Sequence, residues 1–441
     1  MLSPLDDRYY ELLSKTGITE CLSEYEYTKN RVEIEIKYLK KIVEITNCKT
    51  SEEINEIFNV NYEFNKDEFY KIKNIEKITN HDVKAIEIYL RSIFPTIQNY
   101  IHFGLTSQDI NSPGFMIGFS KSLNIIKELL NGFEISVEKL IKKTNNITMC
   151  AKTHSQFAVP TTLNKEIYCK YLDIHFYVNE LNDKCNTMTV KMGGAVGGLN
   201  AHYFVYPNID WIHFFNNFVH ELHFKRSEIT TQIDNYSNIC DIFDCIRKLL
   251  FHVQNLNNYC YSLINDKYLC MMYDDNHVGS STMPQKINPI DFENSKGNIV
   301  ICTSLIDGIT EHLRCGITYQ RDMSDSTILR NSSTIFGYVC LIIINMTKAI
   351  NILYPDLDII NNDLNDNPTI IMEGIQTYLK ILNVDDPYTK AKKLSRGKKI
   401  TMNDIHEFID SFDITLEHKN KLKSITPQNY IPHYPIIKYF H

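Results

Sequence analysis

The sequence predicts an all-α protein of long helices packed as a bundle, and three observations carry that expectation. Chain breakers are scarce, with 16 Gly and 13 Pro in 441 residues, roughly half the usual share of the two together. Apolar residues recur at offsets of three and four over long stretches, which is the spacing of one buried helix face. Helices of that length, apolar on a broad stripe, need partners on several sides, and a bundle supplies them.

The first strongly periodic stretch is 123–143, where Leu123, Ile125, Ile126, Leu129, Leu130, Phe133, Val137, Leu140 and Ile141 form the stripe. The next is 239–256, running from Ile239 through Phe243, Ile246, Leu250 and Val253 to Leu256, and the third covers 336–353. Glycines gather between such stretches. The GGAVGG run with Gly193, Gly194, Gly197 and Gly198 matches neither G-x-G-x-x-G nor the Walker pattern. It reads as a connection between helices that needs positive φ angles. The tract NNDLNDNP at 361–368 reads as loop, and no internal repeat is present.

Composition excludes several classes. With 46 Lys+Arg against 53 Asp+Glu the net charge is −7, so the chain has no global basic footprint for nucleic acid or an anionic membrane. No uninterrupted apolar run approaches the roughly 18–20 residues of a membrane helix, the richest being Val339 to Ile344. The N-terminal MLSPLDDRYYELL has acidic residues where a secretory signal needs a basic start and an apolar block, so a cytoplasmic location is expected. The 12 cysteines contain no C-x-x-C pair and read as reduced, mostly buried thiols. His and Cys never fall at zinc-ligand spacings, so no metal is expected. Signatures of PLP and flavin are missing too, and no cofactor is expected.

Three segments combine reactive side chains with permissive backbone. His102 to Asp109 places a His, two hydroxyls and a carboxylate beside Gly104. It reads as a helix start, with Thr106 or Ser107 as N-cap and Asp109 in the first turn, and a helix start rich in hydroxyls is also an anion site. Lys152 to Thr162 sets His154 between hydroxyls and ahead of Pro160, which interrupts any helix. That histidine suits proton transfer near neutral pH, although many lone histidines only satisfy local hydrogen bonds. Gly279 to Pro289 holds two Pro, three hydroxyls, Lys286 and Asn288. It must be a loop, and it has the makings of a carboxylate clamp.

Together these segments resemble the fumarase/aspartase superfamily, whose signature G-S-S-x-M-P-x-K-x-N-P is matched by residues 279–289 at every specified position. Within it the chain is similar to the bacterial-type branch of the adenylosuccinate lyase family. The similarity is carried by SPLDDRYY at 3–10, NHDV at 80–83, TSQD at 106–109, THSQ at 153–156, TTQI at 230–233, NPIDFENS at 288–295, QRDMSDSTILRN at 320–331 and TPQNYI at 426–431.

The resemblance implies three mostly helical domains, at 1–111, 112–345 and 346–441. The central one would contribute a long bundle to a homotetramer whose sites are each built from three chains. It also implies a β-elimination that releases fumarate from adenylosuccinate, and from the succinyl-aminoimidazole-carboxamide ribotide of purine synthesis. Ser280 aligns with the general base, His154 with the general acid and Glu293 with the carboxylate that orients that acid. Lys286 and Asn288, with Thr106, Ser107 and Gln232, would hold the succinyl carboxylates. Arg8, Tyr9, Arg321, Ser326 and Arg330 would contact the nucleotide and its phosphate, and Asn80, His81, Asp82 and His102 belong to the nucleotide-side pocket. The partner implied is a small-molecule nucleotide, with no nucleic acid and no membrane.

Two departures stand out. The family usually reads T-H-G-Q-P where this chain has Ser155 and Phe157. A serine there requires a backbone that avoids strained φ, and Phe157 adds bulk beside the acid. Gln285 occupies the signature's variable position, where many relatives carry His, and reads as neutral. The nearest rivals are argininosuccinate lyase and fumarase, against which the nucleotide-side residues weigh. A catalytically silent helical scaffold would have no need of Ser280, His154, Glu293 and Lys286.

Overall fold

The structure, a computed structural model, describes residues 2–59, 62–272, 279, 281–316, 320, 322 and 324–432. Long α-helices dominate: Glu24–Ile45, Ser107–Lys143, Leu163–Cys185, Ser237–Asn265, Ile290–Glu311 and Ser332–Asn351. The periodic stretch at 123–143 lies inside a helix of 37 residues, and the stretch at 239–256 inside one of 29. The third stops at Asn351, two residues before the periodicity does. Leu353–Pro355 pairs instead with Leu269–Met271 as a short antiparallel ladder, so Leu353 is buried by a strand contact that mimics the helical spacing.

The residues sort into two compact units. One comprises Met1–Asn131, Phe176–Phe251 and Ser295–Ile344, the other Gly132–His175, His252–Asn294 and Asn345–His441. In the first unit, Phe119, Phe243 and Phe336 meet edge-on or tilted with ring centroids 4.9–5.7 Å apart. All three are fully buried, and burial of each aromatic side chain contributes on the order of 1.5–3 kcal/mol. A second core lies under the N-terminal helices, where Val32, Leu39 and Val43 pack with Ile86, Leu90 and Phe94. The Glu24–Ile45 helix begins cleanly because the Ser23 hydroxyl accepts the Glu26 N–H at 3.2 Å, a cap that contributes about 1 kcal/mol.

The second unit also holds a β-hairpin between two long helices. Thr148–Thr153 and Gln156–Thr162 form an antiparallel hairpin around the two-residue turn His154-Ser155. Pro160 does exclude helix, as its sequence position indicates, but the alternative is a strand in a two-stranded ribbon, where a missing N–H costs no interior ladder bond. The Ser332–Asn351 helix qualifies the expectation about apolar length. The segment Ser324–Asn351 is long and apolar enough to cross a membrane by composition, yet 72% of its apolar window is buried inside the molecule. Short runs broken by Thr334 and Gly337 hid that length from a search for uninterrupted apolar residues. All twelve cysteines are free, and seven are buried.

Candidate functional site

The first unit contains a cavity of about 460 Å³ whose lining includes Asn80, His81, Asp82, Thr106, Ser107, Gln232, Ser326 and Arg330. Eight of the thirteen residues expected to bind substrate therefore share one cavity. They come from four places far apart in sequence, so local structure must explain how each is presented.

Asn80 ends the Lys66–Thr79 helix in the left-handed region, at φ +50. His81 then caps the Asp82–Ile93 helix, its Nδ1 accepting the Lys84 N–H at 3.2 Å. The tight reversal brings the start of that helix to the cavity wall. Thr106 precedes the Ser107–Lys143 helix, and its own N–H donates to Asp109 Oδ2 at 2.8 Å. Two helix N-termini thus line the cavity, each carrying a partial positive charge that favours an anion. Arg330, at the end of the Ser324–Leu329 helix, adds a full positive charge, with Glu24 Oε2 3.8 Å from its Nη1.

Asp109 does more than complement a helix dipole. It is fully buried, and Oδ1 accepts Lys191 Nζ and the Gly193 N–H, both at 2.7 Å, while Gly194 N–H reaches Oδ2 at 3.1 Å. The glycine run is therefore moored to the start of the Ser107–Lys143 helix. The expected positive φ occurs at Gly194 and Gly197 but not at Gly193 or Gly198. At Gly197 the need is also steric, since a Cβ would lie 2.1 Å from the Thr230 carbonyl oxygen. That contact carries the mooring on to the 230–233 segment and Gln232.

The opposite wall hangs on a buried chain of hydrogen bonds. Gln108 Nε2 donates to the Tyr236 hydroxyl at 2.9 Å, and that hydroxyl donates to Asp325 Oδ2 at 2.6 Å. Asp325 Oδ1 in turn accepts the Ser326 N–H at 2.7 Å. Ser326 and Arg330 are thereby fixed relative to the Ser107 helix start. Gln108, Tyr236 and Asp325 were not among the expected binding residues, and their separation in sequence left nothing to find them by.

His102 stands outside the lining. Its Nδ1 lies 2.5 Å from Glu35 Oε1, and its Nε2 is 3.9 Å from Glu87. Burial disfavours the charged imidazolium, but the Glu35 carboxylate outweighs it through charge and hydrogen bond, with Glu87 and Asp109 beyond, so the pKa is raised. Asp82 shows the mirror case. Burial works against its ionised form, yet the Arg31 guanidinium at 2.5 Å holds its carboxyl below the ordinary range. Burial pushes the phenol of Tyr27, another lining residue, up to about 12. Arg8 and Tyr9 follow the short Pro4–Asp6 helix, Arg8 exposed, and neither lines the cavity.

The second unit carries His154, Lys286, Asn288 and Glu293. His154 is exposed at the hairpin turn, at φ +50, with Ser155 at φ +60. The expectation that Ser155 must avoid strained φ is overturned: a two-residue hairpin turn with both central residues left-handed demands positive φ at that position whatever residue fills it. Residues 281–289 form no helix, as expected, and the Ile290–Glu311 helix follows them. Asn288 Nδ2 donates to the Gly279 carbonyl at 2.6 Å, closing the loop on itself. A Cβ on Gly279 would lie 1.9 Å from the Lys286 carbonyl oxygen, so only glycine admits that closure. Lys286 is exposed. Glu293 accepts a hydrogen bond from the Tyr261 hydroxyl at 3.2 Å and makes none with His154 within the chain. Ser280 and Arg321 lie outside the described residues.

Comparison with known proteins gives a consistent result. Residues 7–303 match the family described as lyase, and residues 318–431 match adenylosuccinate lyase C-terminal. The chain is 35% identical over 450 residues to an adenylosuccinate lyase of Dictyostelium discoideum, covering 98% of this chain and 96% of that one. An Escherichia coli adenylosuccinate lyase is 31% identical with the same coverage of both chains. Among solved structures, a fumarate lyase from a Mesorhizobium species superposes with a TM-score of 0.75 at 14% identity, covering 94% of each chain. A 3-carboxy-cis,cis-muconate lactonizing enzyme from Pseudomonas putida gives 0.71, covering 94% of this chain and 93% of the other. At such identities these two speak for the helical-bundle fold alone.

Proposed function

The chain belongs to the lyase family that it matches over residues 7–303, and from that membership we propose that it is an adenylosuccinate lyase. It would cleave the C–N bond of adenylosuccinate by β-elimination, giving AMP and fumarate, and would act likewise on succinyl-aminoimidazole-carboxamide ribotide. The observation that carries the reading is the single cavity gathering Asn80, His81, Asp82, Thr106, Ser107, Gln232, Ser326 and Arg330. Two helix N-termini and an arginine suit a ligand bearing a phosphate and carboxylates.

In this reading the Ser280 alkoxide removes the proton from the carbon next to a succinyl carboxylate. The electron pair passes into that carboxylate as an aci form, held by Lys286, Asn288, Thr106, Ser107 and Gln232. Collapse breaks the C–N bond, and His154 protonates the departing nitrogen. Glu293 would orient that histidine from another subunit, since within one chain the two do not bond. Exposed Phe176, Phe251, Val300 and Ile301 on three long helices of the first unit support burial against further copies. The proposal includes a cytoplasmic homotetramer with shared sites and the domain division 1–111, 112–345 and 346–441.

Incubating the purified protein with adenylosuccinate should yield AMP and fumarate in equal amounts. Ser280→Ala should lower kcat by roughly 10²–10⁴-fold, the usual contribution of a positioned base, with little change in KM. Turnover of argininosuccinate and none of adenylosuccinate would sink the assignment.

A further inference from the structure

We propose that the Glu24–Ile45 helix is the positioning element of the cavity, with Arg31 and Glu35, one turn apart, each holding a different wall. The substrate arm of this inference rests on the function proposed above; the geometry does not.

Tyr27, Arg31, Glu35 and Tyr38 are spaced by four, four and three, so they form one stripe along the helix. Every member reaches a segment that presents cavity residues. The Tyr27 hydroxyl donates to the Asn111 carbonyl at 3.3 Å. Arg31 donates to Asp82 Oδ2 at 2.5 Å and to Asn111 Oδ1 at 3.3 Å, its guanidinium 4.2 Å from the Tyr27 ring centroid. Glu35 Oε1 holds His102 Nδ1 at 2.5 Å, and the Tyr38 hydroxyl donates to the Phe103 carbonyl at 2.7 Å. One end of the stripe therefore pins the Asn80–Asp82 wall and the first turns of the Ser107–Lys143 helix. The other pins the turn that leads into Thr106, a turn held in left-handed conformation at His102, φ +58, and Gly104, φ +66.

Stability gives no reason for this arrangement. Arg31 is 1% exposed and Glu35 0%, and replacing buried charges by apolar residues of similar size is often neutral or stabilising. The two charges do not pair with each other, although they sit one turn apart. Glu35 Oε2 is buried with no hydrogen-bond partner, a cost accepted for the one bond that Oε1 makes. Such a carboxylate is explained by what it orients, namely His102.

The groups facing the His102 imidazole are Glu35 from the Glu24–Ile45 helix, Glu87 from the Asp82–Ile93 helix and Asp109 from the Ser107–Lys143 helix. Lys84 Nζ, 2.6 Å from Glu87 Oε2, already neutralises Glu87, which leaves Glu35 as the dominant counter-charge. Glu35→Gln keeps the size and one acceptor oxygen and removes that charge, so the imidazolium should form only at lower pH.

The test uses the full-length protein with ¹³C-labelled histidine, the His102 signal being assigned by its loss in His102→Asn. In Glu35→Gln the His102 titration should move to lower pH. KM for adenylosuccinate at about pH 8 should rise roughly tenfold, as expected for loss of a charge-assisted hydrogen bond, with kcat changed less. The KM difference should narrow as the pH is lowered through the titration of His102 measured in the variant. Arg31→Lys, which keeps the charge and loses the fork, should raise KM and leave the His102 titration where it was. An unmoved titration in Glu35→Gln, a KM rise equal at every pH, or an equal shift in Arg31→Lys overturns the two-wall assignment. If the parent does not turn over adenylosuccinate, the functional reading fails while the titration arm still decides the clamp.

Discussion

Asp109 carries four donors on one fully buried carboxylate: the N–H groups of Thr106, Gly193 and Gly194, and the Lys191 ammonium. Both Asp109 and Lys191 are 0% exposed, so neither charge can fall back on water. Asp109→Asn keeps the shape but strands the Lys191 ammonium beside the Gly194 carbonyl. Breaking a buried pair in this way costs about 3–5 kcal/mol, and denaturant unfolding of the variant should show a loss of that order. A loss below about 1 kcal/mol would mean that the glycine run is moored by something else. From sequence alone Asp109 could be placed in a first helical turn. Apart from Thr106, its partners lie more than eighty residues away, and no local rule reaches that far.

Two elements show how far periodicity carries an argument. The Glu24–Ile45 helix hides a polar stripe on a face buried against protein; counting apolar residues passes over it, because the signal is a spacing of polar ones. The hairpin around His154-Ser155 is the opposite case. Its strands are short, and its turn lacks the Asn-Gly pair that announces two left-handed residues. Ser155→Gly removes a Cβ from a φ of +60, a conformation that costs a non-glycine residue about 1 kcal/mol. The variant should unfold at an equal or slightly higher temperature than the parent. A clear drop would show that the Ser155 side chain contributes more than its backbone strain.

At the scale of the whole molecule, the proposed acid His154 stands in one compact unit with Lys286 and Asn288 of the proposed carboxylate clamp, while Thr106, Ser107 and Gln232 of that clamp line the cavity of the other unit. If sites are shared between copies, inactive variants should complement each other. Ser280→Ala and His154→Ala proteins, dissociated together and reassembled, should regain a fraction of parental activity through hybrid sites. Mixtures as inactive as either parent would refute sharing, while analytical ultracentrifugation would report the assembly size independently.

The sequence by itself determined the helical class, stretches inside three of the longest helices though not where those helices begin and end, and the lyase family. These follow from short-range periodicity and from an eleven-residue signature whose chemistry is local to its loop. It also pointed to the segments that carry reactive groups. Only the tertiary structure decided which of those residues share a cavity, that His154 occupies a hairpin turn, and that His102 is bound to Glu35 outside the lining. It alone revealed Arg31, Glu35, Tyr236 and Asp325 as the groups holding the walls. The reason is physical: helix formation is governed by residues three and four apart, whereas burying a charge requires a partner anywhere in the chain, and only the folded molecule supplies it.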